Sequence, residues 1–304
     1  MSWGAKRRSW SSSIKQSSAL RMLLFPALAA RRTALRFRSG VAAGVLENLG
    51  EMLCEDPVVR VPEFKGRFAM GRQSALFRRL AMTRSYEPEL ASICADHLIA
   101  GRDAIDVGAN IGMYSVLMAK SLPGRRVLAI EPTPGALNNL RKNLALNAVA
   151  DRVQVYAGAA SDRAGSADIK VVAGREEYSS LGELSHPSIV GAAFESIQVP
   201  MASIDMLVRD AGLSPGFIKI DVEGMEHVVL RGARETLAHH RPIVLAELSE
   251  PLLRRNASSA REVLEFLCAL GYGVSDPLEP EAVVGNRAFG DVLGVPRPWP
   301  APAS

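Results

Sequence analysis

Asp106, Glu131, Asp221 and Glu247 each stand at the end of a short apolar run, and the first of them opens the stretch Asp106-Val107-Gly108-Ala109-Asn110-Ile111-Gly112. Carboxylates gathered at one rim can hold an ammonium group, grip a diol or take a proton from an alcohol. Glycines in a turn from strand to helix let backbone N–H groups and a helix N-terminus come close to a ligand. Together they describe a site for a small polar molecule beside groups able to move a proton.

The glycine spacing narrows the ligand. A dinucleotide loop reads GxGxxG, and counted from Gly108 its second and third glycines would fall at Asn110 and Met113. That mismatch leaves little room for a pyrophosphate against the backbone, so a nicotinamide-dependent oxidoreductase is the weaker alternative. S-adenosylmethionine carries no phosphate. Asp106 at the tip of the first strand suits its ammonium group, directly or through water, and Glu131 at the tip of the second suits the ribose diol. Gly108, Asn110 and Gly112 are expected to line the same cofactor. Each acid also has a plainer reading, Asp106 as a helix cap and Glu131 as a solvated strand end.

Asp221 closes the fourth strand, where the acceptor of a transferred methyl group would sit. Glu223 and Glu226 follow it, three residues apart and able to share a helix face. Asp221, Glu223 and Glu226 are therefore the expected catalytic residues, although acids in a first helical turn also stabilise the helix dipole and Glu226 could do only that. Lys219 alternates with Ile218 and Ile220 and is read as an ion-pair partner for one of the acids. His186 and His227 are reserve bases. Asp221 and Glu223, with Glu247 nearby, could ligate Mg²⁺; no aspartate or asparagine adjoins Asp221 to complete a compact oxygen cluster, so a base working without metal is expected.

Positioning these residues takes a particular scaffold. Residues 104–107, 127–130, 153–156, 217–222 and 243–247 read as strands, and 113–121, 134–147, 227–240 and 260–270 as helices, with Leu137, Leu140 and Leu144 at helical spacing above an Asn-rich polar face. Alternation of this kind implies an α/β fold, a mostly parallel sheet with helices on both faces. Ligands bind beyond the carboxyl ends of such strands, where the four acids lie. A basic, flexible N-terminal arm (1–46), an adaptor region (47–100), the main domain (101–295) and a Pro-rich tail (296–304) are the expected divisions.

The chain has 304 residues, 48% hydrophobic and 22% charged, as in a globular protein. Cys54, Cys94 and Cys268 form no CxxC pair, which excludes a disulfide scaffold and a thiolate zinc site. The net charge of +4 is uneven: the first 46 residues hold nine bases and no acid, leaving 27 bases against 32 acids, a net −5, for the rest. The main domain thus offers no basic face for nucleic acid. The arm can be read as a flexible segment, as a basic amphipathic stretch on an anionic membrane surface, or as a targeting peptide. A cytoplasmic location is expected, with a membrane-peripheral one as the alternative.

The successive blocks 106–115 (DVGANIGMYS), Glu131-Pro132 and 217–226 (FIKIDVEGME), preceded by Tyr86-Glu87-Pro88-Glu89-Leu90, resemble those of the FkbM-type methyltransferases over residues 84–275. The resemblance implies a Rossmann-like class I methyltransferase fold, here with an N-terminal extension. It implies a seventh, antiparallel strand, for which 291–295 or 273–276 are candidates. It also implies S-adenosylmethionine-dependent methylation of a hydroxyl on a sugar, glycan or secondary metabolite. The turn 221–224 (DVEG) lacks the Asn/Asp-Pro-Pro-aromatic pattern of nucleobase and amide N-methyltransferases. Residues 175–181, polar with one aromatic, are a candidate acceptor lining. The competing class is a methyltransferase-like subunit that holds cofactor or partner without turnover.

Overall fold

The structure is a computed structural model and describes residues 57–72, 74–171, 195–281 and 289–298. The described chain opens with a hairpin of β1 (Val58–Val61) and β2 (Gly66–Ala69), then helices α1 (Ala75–Thr83) and α2 (Pro88–His97). The alternating core follows as β3 (Asp103–Val107), α3 (Met113–Ser121), β4 (Val127–Glu131), α4 (Pro134–Leu146) and β5 (Val153–Ala157). After β6 (Ala159–Ala160), β7 (Gly165–Val171) and β8 (Glu195–Ala202) come α5 (Ile204–Ala211), β9 (Pro215–Ile220), α6 (Glu226–Arg231) and α7 (Arg234–His239). The chain closes with β10 (Ile243–Ser249), α8 (Glu250–Arg255), α9 (Ala260–Ala269), β11 (Tyr272–Ser275) and β12 (Phe289–Pro296).

The main sheet has seven strands in the order β11-β12-β10-β9-β3-β4-β5. Neighbours from β10 to β5 pair in parallel, and β12 runs antiparallel between β10 and β11. The 291–295 segment is thus the reversed strand, and 272–275 forms the edge beside it. β12 ends at Pro296, where the missing N–H no longer interrupts an inner ladder.

Every residue of β3, β4 and β9 is buried, as a parallel sheet covered on both faces requires. Ile105, Val107, Ile218, Ile220, Val244 and Ala246 fill one face with Val208, Leu230, Leu237 and Val263 of the helices over it. Ala104, Ala129, Phe217 and Leu245 fill the other with Val116, Leu140 and Cys94. Val61, Phe64 and Phe68 of the hairpin join that second cluster.

Three expectations change on the structure. The helix foreseen over 227–240 is two, broken at Gly232, where any Cβ would collide with the Ser161 carbonyl oxygen and where the Gly232 carbonyl accepts from Asp205 N at 2.9 Å. The stretch between the third and fourth strands, left without regular structure in the sequence reading, holds a three-stranded sheet ordered β6-β8-β7. Its own small core is Ala159, Ile169 and Val199. The Asn-rich face of α4 is not turned wholly to water: Asn143 is fully buried and exchanges hydrogen bonds with both Ala69 N (2.7 Å) and Ala69 O (3.0 Å), while Asn147 does the same with Arg67. Two amides one helical turn apart thereby take the place of a neighbouring strand for β2.

Candidate functional site

Strand register decides what shares the rim. Asp106 lies beside Lys219 across β3 and β9, Leu245 beside Lys219 across β9 and β10, and Glu247 opposite Asp291 across β10 and β12. Asp106 is also level with Ala129, so Glu131 projects from the same face. Side chains alternate along a strand with period two. Glu131, Asp106, Lys219, Asp221, Glu247 and Asp291 therefore form one row along the carboxyl rim of a single sheet face, and the opposite face carries only the apolar set named above. The row crosses the point where β4 and β9 flank β3 on opposite sides, the switch point at which open α/β sheets bind ligands.

At its centre, Lys219 Nζ donates to Asp221 Oδ2 at 2.8 Å and stands 4.5 Å from the centroid of the Tyr114 ring. Tyr114 is held from behind by the edge of Phe64 at 4.9 Å and donates its hydroxyl to Glu87 Oε2 at 3.1 Å. Burial pulls the Lys219 ammonium down, but Asp221 and Asp106 outweigh it and hold it above its ordinary value. The ion pair expected for Lys219 is what the structure shows.

Asp106 is 1% exposed; its Oδ2 accepts from Ser115 Oγ at 2.6 Å and its Oδ1 has no partner among the described residues. Burial raises its carboxyl, against the pull of Lys219 and the Ser115 hydroxyl. A buried carboxylate oxygen without a donor is costly, and an ammonium group would satisfy it. Glu131 Oε2 accepts from Asn110 N at 2.9 Å, and its Oε1 from Thr133 N and Oγ1 at 2.8 and 2.7 Å. The acid is buried, not a solvated strand end, and it fastens the glycine loop to β4 while Oε2 retains one acceptor position for a hydroxyl.

The loop's backbone explains its residues. Gly108, Asn110 and Gly112 all have positive φ, 77°, 48° and 86°. A Cβ on Gly108 would collide with the Asp221 carbonyl oxygen, and one on Gly112 with Leu140. The first glycine thus lets β9 approach β3, a packing demand that stands beside the expected approach of a cofactor.

Of the other expected site residues, Glu223 has φ 51° and stands exposed in the turn after β9. The surrounding protein, then Asp221 and Glu226, raise its carboxyl, and its exposure screens that effect. Glu226 is buried at 2% exposure, with Oε1 accepting from Gly224 N at 3.0 Å and Oε2 unpartnered. Burial, and secondarily Asp221, push it up to about 7 against the pull of the Gly224 N–H. It clamps the turn that Gly224 makes against Leu252. His227 hydrogen-bonds to Ser258 Oγ at 2.8 Å and packs edgewise on Phe266, away from the row. His186 and residues 175–181 lie outside the described residues, as does the arm.

Sequence reasoning missed Ser115, Tyr114, Glu87 and Asp291 as members of the site. Asp291 carried a signal, since it alternates with Leu293 on a predicted strand. Among the described residues, no group of three or more His, Cys, Asp or Glu is arranged to hold a metal.

Comparison with known proteins bears on the family. A curated relative, the methyltransferase sdnD of Sordaria araneosa, is 28% identical over 156 residues, 43% of this chain and 60% of that protein. The chain thus spans less than two thirds of that relative's length. Among solved structures, the methyltransferase FkbM of Methylobacillus flagellatus KT is 20% identical at TM-score 0.43, over 64% of this chain and 43% of that one. Precorrin-6y C5,15-methyltransferase of Geobacter metallireducens GS-15 is 15% identical at TM-score 0.41, over 70% and 89%. The methyltransferase FkbM domain matches residues 106–274, more than half of the chain, a span that holds Asp106, Glu131, Asp221 and Glu247. The chain belongs to the FkbM family of S-adenosylmethionine-dependent methyltransferases.

Proposed function

We propose that the chain is an O-methyltransferase that binds S-adenosylmethionine between the glycine loop and Asp106 and methylates a hydroxyl of a sugar, glycan or secondary metabolite. The observation that carries this reading is the single-face row, with a buried, unpartnered carboxylate oxygen at the switch point and carboxyls beyond it. When bound, S-adenosylmethionine supplies a methyl carbon activated by its sulfonium. Asp106 would take the ammonium group on Oδ1, Glu131 would offer its remaining acceptor position to the ribose, and the Gly108–Gly112 backbone would line the adenosyl side. Asp221, paired with Lys219 at 2.8 Å, would accept a hydrogen bond from the acceptor. The residues' main contribution is alignment of acceptor oxygen and methyl carbon, and with an alcohol a carboxyl must also receive its proton. Glu223, exposed beside Asp221, is placed to touch the acceptor, and Glu226 to shape the turn beneath it.

The test is incubation of the full chain with S-adenosylmethionine isotopically labelled in the methyl group and a panel of sugars, glycans and polyhydroxylated metabolites. Mass spectrometry should find a product one CH₂ heavier with the label on oxygen. Label on nitrogen or carbon would overturn the oxygen assignment. Cofactor binding with no transfer to any acceptor would favour the non-catalytic subunit.

A further inference from the structure

Asp291 and Glu247 close the row at its β10–β12 end. They are directly opposite each other on antiparallel β12 and β10, both half-buried. No hydrogen bond from a described residue reaches either carboxyl. Asp221, by contrast, has the Lys219 ammonium at 2.8 Å. Two ionised carboxyls opposed across a ladder repel each other, and burial removes the water that would screen them.

We propose that Glu247 and Asp291 hold a single proton between them and that the doubly ionised pair, not Asp221, receives that proton from the acceptor hydroxyl. The inference rests on the methyl-transfer reading above. Asp221 Oδ2 is taken up by the Lys219 ammonium at 2.8 Å, and its carboxyl is suited to orienting the hydroxyl. Once both carboxyls are ionised, their mutual repulsion makes the pair bind one proton more strongly than a lone carboxylate does, the property a base working near neutral pH requires; the pair that has received the proton then holds it in common with a single negative charge. In the step, the acceptor O–H bond breaks and its proton goes to the pair. The oxygen forms its bond to the methyl carbon as that carbon's bond to sulfur breaks, and the electron pair leaves with the sulfur. A second, independent feature marks the row as ligand-facing: the unpartnered Oδ1 of Asp106, 1% exposed, which also lies within the field of Lys219 and Asp221.

The charged surroundings of the pair come from several elements. Asp221 and Lys219 face Glu247 from the end of β9, Glu87 from ahead of α2, and Asp276 acts on Asp291 from beyond β11. Tyr86 lies in the same field and is raised well above its ordinary value by burial, then by Glu87, Asp221 and Glu247. Burial and then Asp221 push Glu247 up, and burial and then Glu87 push Asp291 up; in both, Lys219 pulls the other way. The proton is therefore held at a pH where an ordinary carboxyl has lost it.

Carbon-detected NMR titration of the full chain, labelled at the Asp and Glu carboxyls, tests the shared proton without any acceptor. In the parent the two carboxyls should titrate in linked steps, with one midpoint well above the ordinary range. Asp291→Asn should lower the Glu247 midpoint by at least about one pH unit, the scale of a neighbouring like charge. A Glu247 midpoint in the ordinary range, or one unmoved by Asp291→Asn, overturns the pair. The base role is tested on the acceptor returned by the labelled-methyl screen. Glu247→Gln and Asp291→Asn should each lower kcat by about 10²–10⁴-fold, with S-adenosylmethionine affinity unchanged and the pH dependence of kcat flattened. A folded Glu247→Gln with parental kcat overturns it. A parent that shows the linked titration but methylates nothing overturns the methyl-transfer reading and the base role, and leaves the shared proton standing.

Discussion

Lys219 carries its ammonium on Asp221 at 2.8 Å and over the Tyr114 ring, with the buried Asp106 beside it on the next strand. Replacing it removes the counter-charge of both acids. Breaking a buried pair on one side costs about 3–5 kcal/mol. Because the Asp221 side chain is 34% exposed and can rehydrate, the loss should fall at the lower end of about 3–5 kcal/mol. Urea unfolding of Lys219→Met should show that loss, and a parental midpoint would mean that the acids are balanced by something else. Glu131 behaves differently. Its oxygens fasten Asn110 and Thr133, so Glu131→Ala frees the loop as well as removing the ribose acceptor. S-adenosylmethionine affinity should fall at least about tenfold, the equivalent of one charge-assisted hydrogen bond. Unchanged affinity in a folded Glu131→Ala protein, read by calorimetry, would remove Glu131 from the site.

The turn from β9 into α6 is held by Glu226, whose Oε1 takes the Gly224 N–H. Its ordinary carboxyl value is 4.5 and the folded value about 7. Across that window the folded chain keeps a proton that the unfolded chain has lost, so stability falls as pH rises, by up to roughly 3 kcal/mol. Glu226→Gln keeps an acceptor for Gly224 and carries no charge. It should flatten this slope between about pH 4.5 and 7 in urea unfolding and leave kcat near the parental value. An unchanged slope would refute the buried-carboxyl account, and a large loss of kcat would restore Glu226 as catalytic. Much at this scale was legible in advance. The helix 113–121 follows from Gly112 and a mostly apolar segment after it, and strands 104–107 and 127–130 from short apolar runs between turns, the first with Asp106 inside it. The β7–β8 sheet was missed because its alternation at Ile197, Val199 and Met201 spans few residues and includes Pro200. The break at Gly232 was hidden because its cause is a distant carbonyl. The clamp by Asn143 and Asn147 depends on a hairpin more than seventy residues earlier, so no local pattern could reveal it.

Over the whole molecule, acids at strand ends foretold the rim, but not that all of them leave from one face; that follows only from pairing register. The Asp291 contribution needed the reversed β12 to be placed between β10 and β11. No helix among the described residues is long and apolar enough to cross a membrane. The net positive charge of the sequence comes from residues 1–46, which lie outside the described residues. Deleting them removes nine positive charges. Binding to vesicles with anionic lipid should drop, while S-adenosylmethionine affinity persists. Equal vesicle binding by both chains would rule out a membrane role for that segment.

Calorimetric titration of S-adenosylmethionine into the full chain and into Asp106→Asn tests most directly the claim that the rim at β3 and β9 is a methyl-donor site. The parent should bind at a single site. Asp106→Asn, folded and with the parental melting profile, should bind at least about tenfold more weakly, because the acceptor that matches the ammonium charge is gone. A parent that takes up no S-adenosylmethionine, or a folded Asp106→Asn that binds it as tightly as the parent, would contradict the account.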